Sequence, residues 1–186
     1  MNMSRRYECA PMQTVSIPLP VWESFQGNYF VGQTPTLQFG PDTTAWAGLI
    51  NPRRGGVPFN LAAVTVSNLS ETSILAQLWF NPALPSPGLK ADSVTTANTN
   101  LCPLPYPRVE VRYDSAVHLR SFASGVNPID RVVPGYSTTV ADKDGKFIFP
   151  GDGRFAVLLI PTQRTTAPIP AIVAFGWWEQ DPYAEG

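Results

Sequence analysis

The chain has 186 residues, a formal net charge of −1, only 15% charged residues and 20 prolines. This length fits one domain with a full core, and the prolines, about twice the number expected from an average usage of roughly 5%, leave little room for helices. No basic run exceeds two residues, so we expect no nucleic acid binding, which needs a clustered cationic face. No apolar stretch approaches the roughly 20 residues that span a bilayer.

Residues 1–14 are polar, contain Cys9 and show no helical or strand period, so they predict an N-terminal arm without the apolar core of a secretory signal. We expect a sandwich domain over residues 15–180 and a C-terminal tail over 181–186. The domain begins with the short alternating segment 15–17, which ends at Pro18-Leu19-Pro20. Strand-length segments follow at 28–31, 36–39 and 46–50, separated by glycine and proline.

The strongest strand pattern lies in residues 59–66, where both alternating sets are largely apolar and predict burial on both faces. A polar turn leads to the apolar segment 74–80, and we predict that the two segments form a β-hairpin. Residues 83–107 are polar and proline-rich. They are too long for an ordinary connection, so they are either functional or contain a poorly marked strand.

Residues 108–113 alternate cleanly, and residues 155–160 and 169–178 are typical of core strands. Between them, segments 137–140 and 146–149 flank Asp142-Lys143-Asp144-Gly145, which predicts a second hairpin. About ten short strands joined by turn formers predict an all-β fold, an antiparallel β-sandwich or jelly roll with an N-terminal arm. The expected core contains Leu61, Val66, Leu78, Phe80, Val109, Val111, Phe147, Val157, Leu159 and Phe175.

The residues that could carry chemistry are few. His118 is the only histidine; a Cys102–His118 dyad is conceivable, but no local motif surrounds either residue, and an ordinary histidine is favoured. Residues 142–145 resemble the start of a calcium loop without its closing glutamate, so a turn explains them better. Most acidic residues lie in turns. We therefore expect no enzyme activity, no cofactor and no metal site.

The five tryptophans could form a sugar-stacking platform, although aromatic residues in small sandwiches more often fill the core. Trp177 and Trp178 are adjacent in a predicted strand, so their side chains must point to opposite faces. One of them therefore lies outside the sandwich core unless the chain bends there. This predicts a ligand or partner surface at Trp177 and Trp178.

The segments Trp46–Pro52 and Ala174–Glu179 resemble a little-characterised domain family of spore-forming Firmicutes, whose pattern continues at residues 64–68 and 144–148. The resemblance covers residues 25–180 and implies no activity, because that family has no known function. The layout also resembles the jelly-roll subunits of endospore appendages, in which an N-terminal connector with a cysteine docks into neighbouring subunits and cross-links to them. That likeness implies that Cys9 is the arm cysteine.

Low charge, abundant proline and the cysteine-containing arm favour a self-assembling structural subunit of an extracellular or spore-surface fibre or coat, released without a classical signal peptide. We expect a homo-oligomer or fibre in which Cys9 forms an inter-subunit disulfide with Cys102; a bridge within one chain and two reduced thiols are the alternatives. The alternative function is a carbohydrate-binding or adhesive module with a glycan partner, followed by an enzyme with an unrecognised site and a phage or capsid jelly roll. A cytoplasmic location also stays open.

Overall fold

The computed structural model describes residues 16–52 and 56–180. One short helix is followed by twelve strands. The elements are α1 (Leu19–Gln26), β1 (Tyr29–Gln33), β2 (Leu37–Phe39), β3 (Thr44–Ile50), β4 (Phe59–Asn68), β5 (Ile74–Phe80), β6 (Leu89–Lys90), β7 (Val94–Thr96), β8 (Glu110–Val117), β9 (Val126–Val133), β10 (Ser137–Phe149), β11 (Arg154–Pro161) and β12 (Ile169–Glu179). The predicted arm and tail, residues 1–14 and 181–186, lie outside the described residues.

The strands form two six-stranded antiparallel sheets. Sheet A has the order β10-β4-β12-β1-β7, and β2 continues the line of β1 along the same side of β12. Sheet B has the order β6-β8-β3-β11-β5-β9. The two sheets pack face to face around one hydrophobic core, which confirms the predicted all-β sandwich.

The core residues follow the predicted strand phases. Eight of the ten expected core side chains are buried, and the other two, Phe80 and Phe147, are half-buried and pack against the core. Phe80 lies between the sheets, with its ring centroid 4.9 Å from that of Phe147 and 5.2 Å from that of Phe149. The alternating segment 108–113 and the apolar segments 59–66 and 155–160 therefore identified strands of both sheets that line the core.

The predicted hairpin over residues 59–80 is wrong, because β4 belongs to sheet A and β5 to sheet B. The chain crosses between the sheets at Asn68, whose buried side-chain amide donates to the carbonyl oxygens of Thr72, Val133 and Pro134. Its side-chain oxygen accepts from the backbone N–H of Ser70. A period of two gives the inward face of each strand, but it does not tell whether consecutive strands share a sheet or face each other across the core.

The second predicted hairpin is also wrong, because residues 137–149 form the single strand β10. Its first part pairs with residues 63–68 of β4 and its last part with residues 59–61, so residues 143–146 bulge out of the ladder. The backbone N–H of Asp144 donates to the side chain of Asp142, and Gly145 has φ +72°. Turn-forming residues are needed equally for a hairpin and for a wide bulge, and here they form the bulge.

The helix α1 was not predicted, because Pro18 and Pro20 at its start were interpreted as the end of a strand. Proline is well accommodated in the first turn of a helix, where its missing N–H has no intrahelical partner. Pro20 occupies such a position, and Gly27 ends the helix with a left-handed conformation, φ +81°. Within residues 16–52 and 56–180, no helix has the length and apolar character needed to cross a membrane.

Candidate functional site

A groove of about 640 Å³ lies on the outer face of sheet A. Its floor is formed by side chains that point away from the core on β4, β12 and β1. In one cross-strand row Thr65 lies opposite Ala174, which lies opposite Gln33; in the next row Ala63 lies opposite Gly176, which lies opposite Val31. Residues 92–95, which lead into and include most of β7, form the rim along one side.

The depth of the groove comes from the small residues on its floor. Ala63, Ala174 and Gly176 occupy outward positions near the centre of the sheet. A Cβ atom on Gly176 would lie 2.7 Å from the Tyr29 hydroxyl oxygen, so the glycine leaves the space that this phenol occupies. Tyr29 forms the aromatic part of the groove.

The Tyr29 phenol is the titratable group of the groove whose pKa is displaced. Partial burial raises the pKa of Tyr29, and the negative charge of Asp142 raises it further. Both effects disfavour the phenolate. At neutral pH the hydroxyl group therefore stays protonated and is available to a ligand as a hydrogen-bond donor and acceptor.

Trp177 and Trp178 point to opposite faces of sheet A. Trp177 belongs to the core, and its Nε1 donates to the Glu179 carboxylate. Trp178 lies on the outer face and stacks against Tyr29, with ring centroids 6.2 Å apart and an interplanar angle of 26°. The bulge of β10 covers Trp178: Gly145 rests against its ring, where any side chain would collide with the indole.

The two tryptophans are 0% and 2% exposed, so neither offers an open surface in the isolated chain. This corrects the expectation that the indole outside the core would lie at the surface, since the residues that cover it come from a different strand. A partner role for Trp177 or Trp178 stays a prediction. Val31, on the same outer face of sheet A, is 40% exposed and lies in the floor of the groove.

Glu179 is a buried carboxylate that the sequence did not single out. It accepts hydrogen bonds from the backbone N–H groups of Arg108 and Val109, each 2.9 Å long, and from the Trp177 indole. Burial raises the pKa of Glu179, although these donors act in the opposite direction. The carboxylate ties the segment before β8 of sheet B to the end of β12 of sheet A, which is a structural role.

The residues considered for catalysis lie apart. Cys102 is exposed in the segment before β8, and His118 is exposed just after that strand, so the eight residues of β8 separate them. Cys9 lies outside the described residues, and its predicted pairing with Cys102 stays a prediction. Among the residues that the structure describes, no group of three His, Cys, Asp or Glu side chains is placed to hold a metal ion.

A second surface feature is an exposed apolar patch at the start of the described chain. The helix α1 buries none of its side chains. Leu19, Trp22 and Phe25 are about half exposed, and Leu104 and Tyr106 are also exposed. The Cβ position of Gly27, at the end of α1, lies against Leu101 and Pro105, so the segment containing Leu104 and Tyr106 is next to the helix.

The third feature is the free edge of sheet A. In the described part of the chain, β10 pairs with β4 on one side only. Its residues 137–141 read Ser-Thr-Thr-Val-Ala and contain neither proline nor charge, and Val140 is 63% exposed. The edge strand β9 of sheet B differs, because it carries Pro128, Asp130 and Arg131. Such residues block pairing with further strands, and the first half of β10 lacks them.

A family model described as a family of unknown function, DUF6143, matches residues 4–183. No curated protein matches the chain.

Proposed function

We propose that this chain, which belongs to DUF6143, a family of unknown function, is a self-assembling structural subunit of a fibre or coat. The proposal rests on two surfaces at opposite sides of sheet A that have no partner within the described residues. One is the exposed apolar patch of α1 and its neighbours Leu104 and Tyr106; the other is the unprotected edge of β10.

The apolar patch favours contact with another protein surface. An isolated exposed apolar residue is normal, but a contiguous group that includes a tryptophan and a phenylalanine marks an interaction site. Trp22, Phe25 and Leu19 occupy one eight-residue helix, and none of them is buried by the sandwich. Covering this patch would remove its apolar surface from water, and each Å² buried would stabilise the contact by about 25 cal/mol.

The β10 edge favours pairing with an additional strand. Residues 137–141 present backbone N–H and C=O groups on their free side; Thr138, Thr139 and Val140 have high strand propensity, and none of the five residues is charged. A strand added there would be held by main-chain hydrogen bonds, as in other cases of β-strand addition.

The two surfaces lie on different sides of the subunit, so they favour head-to-tail assembly. The helix α1 is adjacent to the segment after β7, where the Asn98 amide donates to the Phe25 carbonyl oxygen. In sheet A β7 and β10 are the two outermost strands, four strand spacings apart, which is about 19 Å. Contacts between different surfaces of identical subunits generate rings or open filaments.

The N-terminal arm is the segment that we assign to the neighbour's edge. Residues 1–15 precede the described chain, and fifteen extended residues span at most about 50 Å. The chain's own β10, about 19 Å away across sheet A, is also within that reach, but in a head-to-tail assembly the neighbour's β10 faces the α1 side and is the nearer edge. We therefore propose that the arm adds a strand to β10 of the next subunit, on an extracellular or spore surface as the sequence likeness implies.

The test is an assembly assay with substitutions at exposed positions. We expect the wild-type protein to form oligomers or fibres in sedimentation velocity and negative-stain microscopy, and both Val140→Lys and Trp22→Ser to remain monomeric. Leu89→Lys is the matched control, because Leu89 is 63% exposed on the short edge strand β6. Wild-type protein that is monomeric at high concentration, or three variants that assemble equally, would refute the proposal.

The predicted disulfide is tested separately. Cys102 lies in the segment beside α1, on the far side of sheet A from β10, so a Cys9–Cys102 link and pairing of the arm with β10 place the arm differently. An inter-subunit link gives a ladder on a non-reducing gel that both Cys9→Ser and Cys102→Ser abolish. A single fast-migrating monomer that both variants slow indicates a bridge within one chain and contradicts the inter-subunit link.

A further inference from the structure

We propose that the groove on the outer face of sheet A binds a short neutral oligosaccharide. This site is separate from the surfaces assigned to assembly, since neither the α1 patch nor β10 contributes to its lining. Its volume of about 640 Å³ lies within the range of about 300–1,000 Å³ that small-molecule sites in proteins occupy.

The charge of the groove selects against anionic ligands. Its lining contains the carboxylate of Asp92 and no lysine, arginine or histidine. The second nearby carboxylate, Asp142, lies in the row of Ala63 and Gly176, close enough to raise the pKa of Tyr29. A phosphate, sulfate or uronate would meet the Asp92 carboxylate, with the charge of Asp142 nearby and no cation in the lining, and like charges at short range are unfavourable.

The polar groups of the groove suit a ligand that carries many hydroxyl groups. Gln33, Thr65, Ser93 and Thr95 place one amide and three hydroxyl groups around the lining. Each can both donate and accept a hydrogen bond, as each sugar hydroxyl can. The Asp92 carboxylate adds a strong acceptor for a pair of such hydroxyls.

The apolar groups suit the C–H faces of the same ligand. The side chain of Val31 and the methyl groups of Ala63 and Ala174 form the apolar part of the lining. Tyr29 adds an aromatic ring with a hydroxyl group at its tip, a combination that is favoured where a ligand has both an apolar and a polar side. A purely apolar ligand would leave the surrounding hydroxyl, amide and carboxylate groups unpaired, which is costly.

The site is already formed without a ligand. Its floor lies on β12 and its neighbours β4 and β1, which are paired along their lengths. The rim is fixed by two backbone hydrogen bonds. The N–H of Gln33 donates to the backbone carbonyl oxygen of Ser93, and the N–H of Val94 donates to that of Asp92. A preformed site avoids most of the cost of ordering side chains and loops on binding.

The experiment is a binding assay with a panel of neutral trisaccharides, namely cellotriose, maltotriose, xylotriose and tri-N-acetylchitotriose, with trigalacturonate as the anionic comparison. Binding is measured by titration calorimetry and by chemical-shift changes, on the wild-type protein and on Trp22→Ser, so that the outcome does not depend on assembly. We expect at least one neutral trisaccharide to bind with a dissociation constant in the micromolar to millimolar range and trigalacturonate not to bind.

The matched pair Ala174→Phe and Ile172→Phe locates the site. Both residues point outward on β12, but only Ala174 lines the groove. We expect Ala174→Phe to weaken binding at least about tenfold and Ile172→Phe to leave it unchanged. Gln33→Ala removes one hydrogen-bonding group from an exposed position and should weaken binding about two- to tenfold, which corresponds to about 0.4–1.4 kcal/mol.

Three results would overturn the proposal: no response to any neutral trisaccharide at millimolar concentration, tighter binding of trigalacturonate, or equal binding by Ala174→Phe and Ile172→Phe. If Ala174→Phe fails to fold, as judged by its thermal unfolding, Gln33→Ala and Thr65→Val decide the question instead. Unchanged affinity in both would place the ligand elsewhere.

Discussion

The outer face of sheet B is covered by loops, whereas that of sheet A has an open groove. On sheet B, Trp46, Trp79 and Phe122 form a second buried cluster with Ala156 and Leu158. Leu84 and Leu119, from the segments that follow β5 and β8, pack against this cluster and cover it. On sheet A the corresponding face has small and polar residues in its centre and stays open as the groove. Large outward side chains therefore require loops to cover them, and small ones leave a site.

The largest expected effect concerns the covered face. Trp46→Ala should reduce the free energy of unfolding by about 3–5 kcal/mol, because the side chain is fully buried and its loss leaves a cavity. Val31→Ala, on the open face, should cost less than about 1 kcal/mol, because Val31 is already 40% exposed. Denaturant unfolding of both variants with the wild type measures the contrast, and equal losses would contradict it.

Trp46→Phe is a smaller change at the same position, and it tests how much of the stability depends on packing around the ring. The Trp46 Nε1 is buried and has no hydrogen-bond partner among the described residues. Trp46→Phe removes this N–H group together with part of the ring, so it should cost clearly less than Trp46→Ala. If the two variants lose the same stability, the packing around Trp46 contributes less than its burial indicates.

The next effect concerns Trp178, a large outward side chain of sheet A that the bulge of β10 covers. Gly145→Ala should destabilise the protein by about 1–3 kcal/mol, because residue 145 has a positive φ and a Cβ atom there collides with Trp178. The bulge should then lift, and the tryptophan fluorescence should shift to longer wavelength. Asp144→Gly is the control, since Asp144 also has a positive φ but its side chain is 67% exposed; the emission of this variant should stay unchanged.

A smaller, pH-dependent effect is expected where the two sheets are joined by Glu179. The pKa of this carboxyl is raised in the folded protein, so its protonated form is the one that folding favours. Its contribution is fully present below the unfolded pKa and is lost as the pH rises through the folded pKa. The stability of the wild type relative to Glu179→Gln should therefore fall as the pH rises from about 4. A difference that grows with pH would show that the three N–H donors outweigh the effect of burial.

The class of the fold and most of its core were predictable because each depends on local sequence pattern. Val111 alternates with the partly exposed Glu110 and Arg112 on β8, a pattern set by the backbone geometry, whereas Leu61 and Val157 lie in apolar segments that are buried on both faces. The partners of a strand are not local. Phe59–Asn68 pairs with strands that begin near residues 137 and 169, and nothing in the turn that follows it distinguishes this from a hairpin.

The groove could not be predicted for the same reason. Its floor combines Val31, Ala63 and Gly176, which are brought side by side only by the pairing of β1, β12 and β4. The adjacent tryptophans correctly indicated that one indole lies outside the core. What covers Trp178 is decided by residue 145 on a different strand, and the closest sequence signal was the glycine that ends the Asp-Lys-Asp-Gly segment. The proline-rich segment 83–107 contains two poorly marked strands, β6 and β7.

The central position of β12 has a consequence for biosynthesis. The last described strand of the chain lies between β4 and β1 in sheet A and also pairs with β2. While the ribosome is still making residues 169–179, β1 and β4 have no strand between them, and each presents an edge of unpaired backbone N–H and C=O groups. Such long-range pairing is slow to form, and exposed edges promote aggregation. Emergence of residues 169–179 from the ribosome is therefore the event that permits sheet A to close, and nascent chains released before it should be substrates for chaperones.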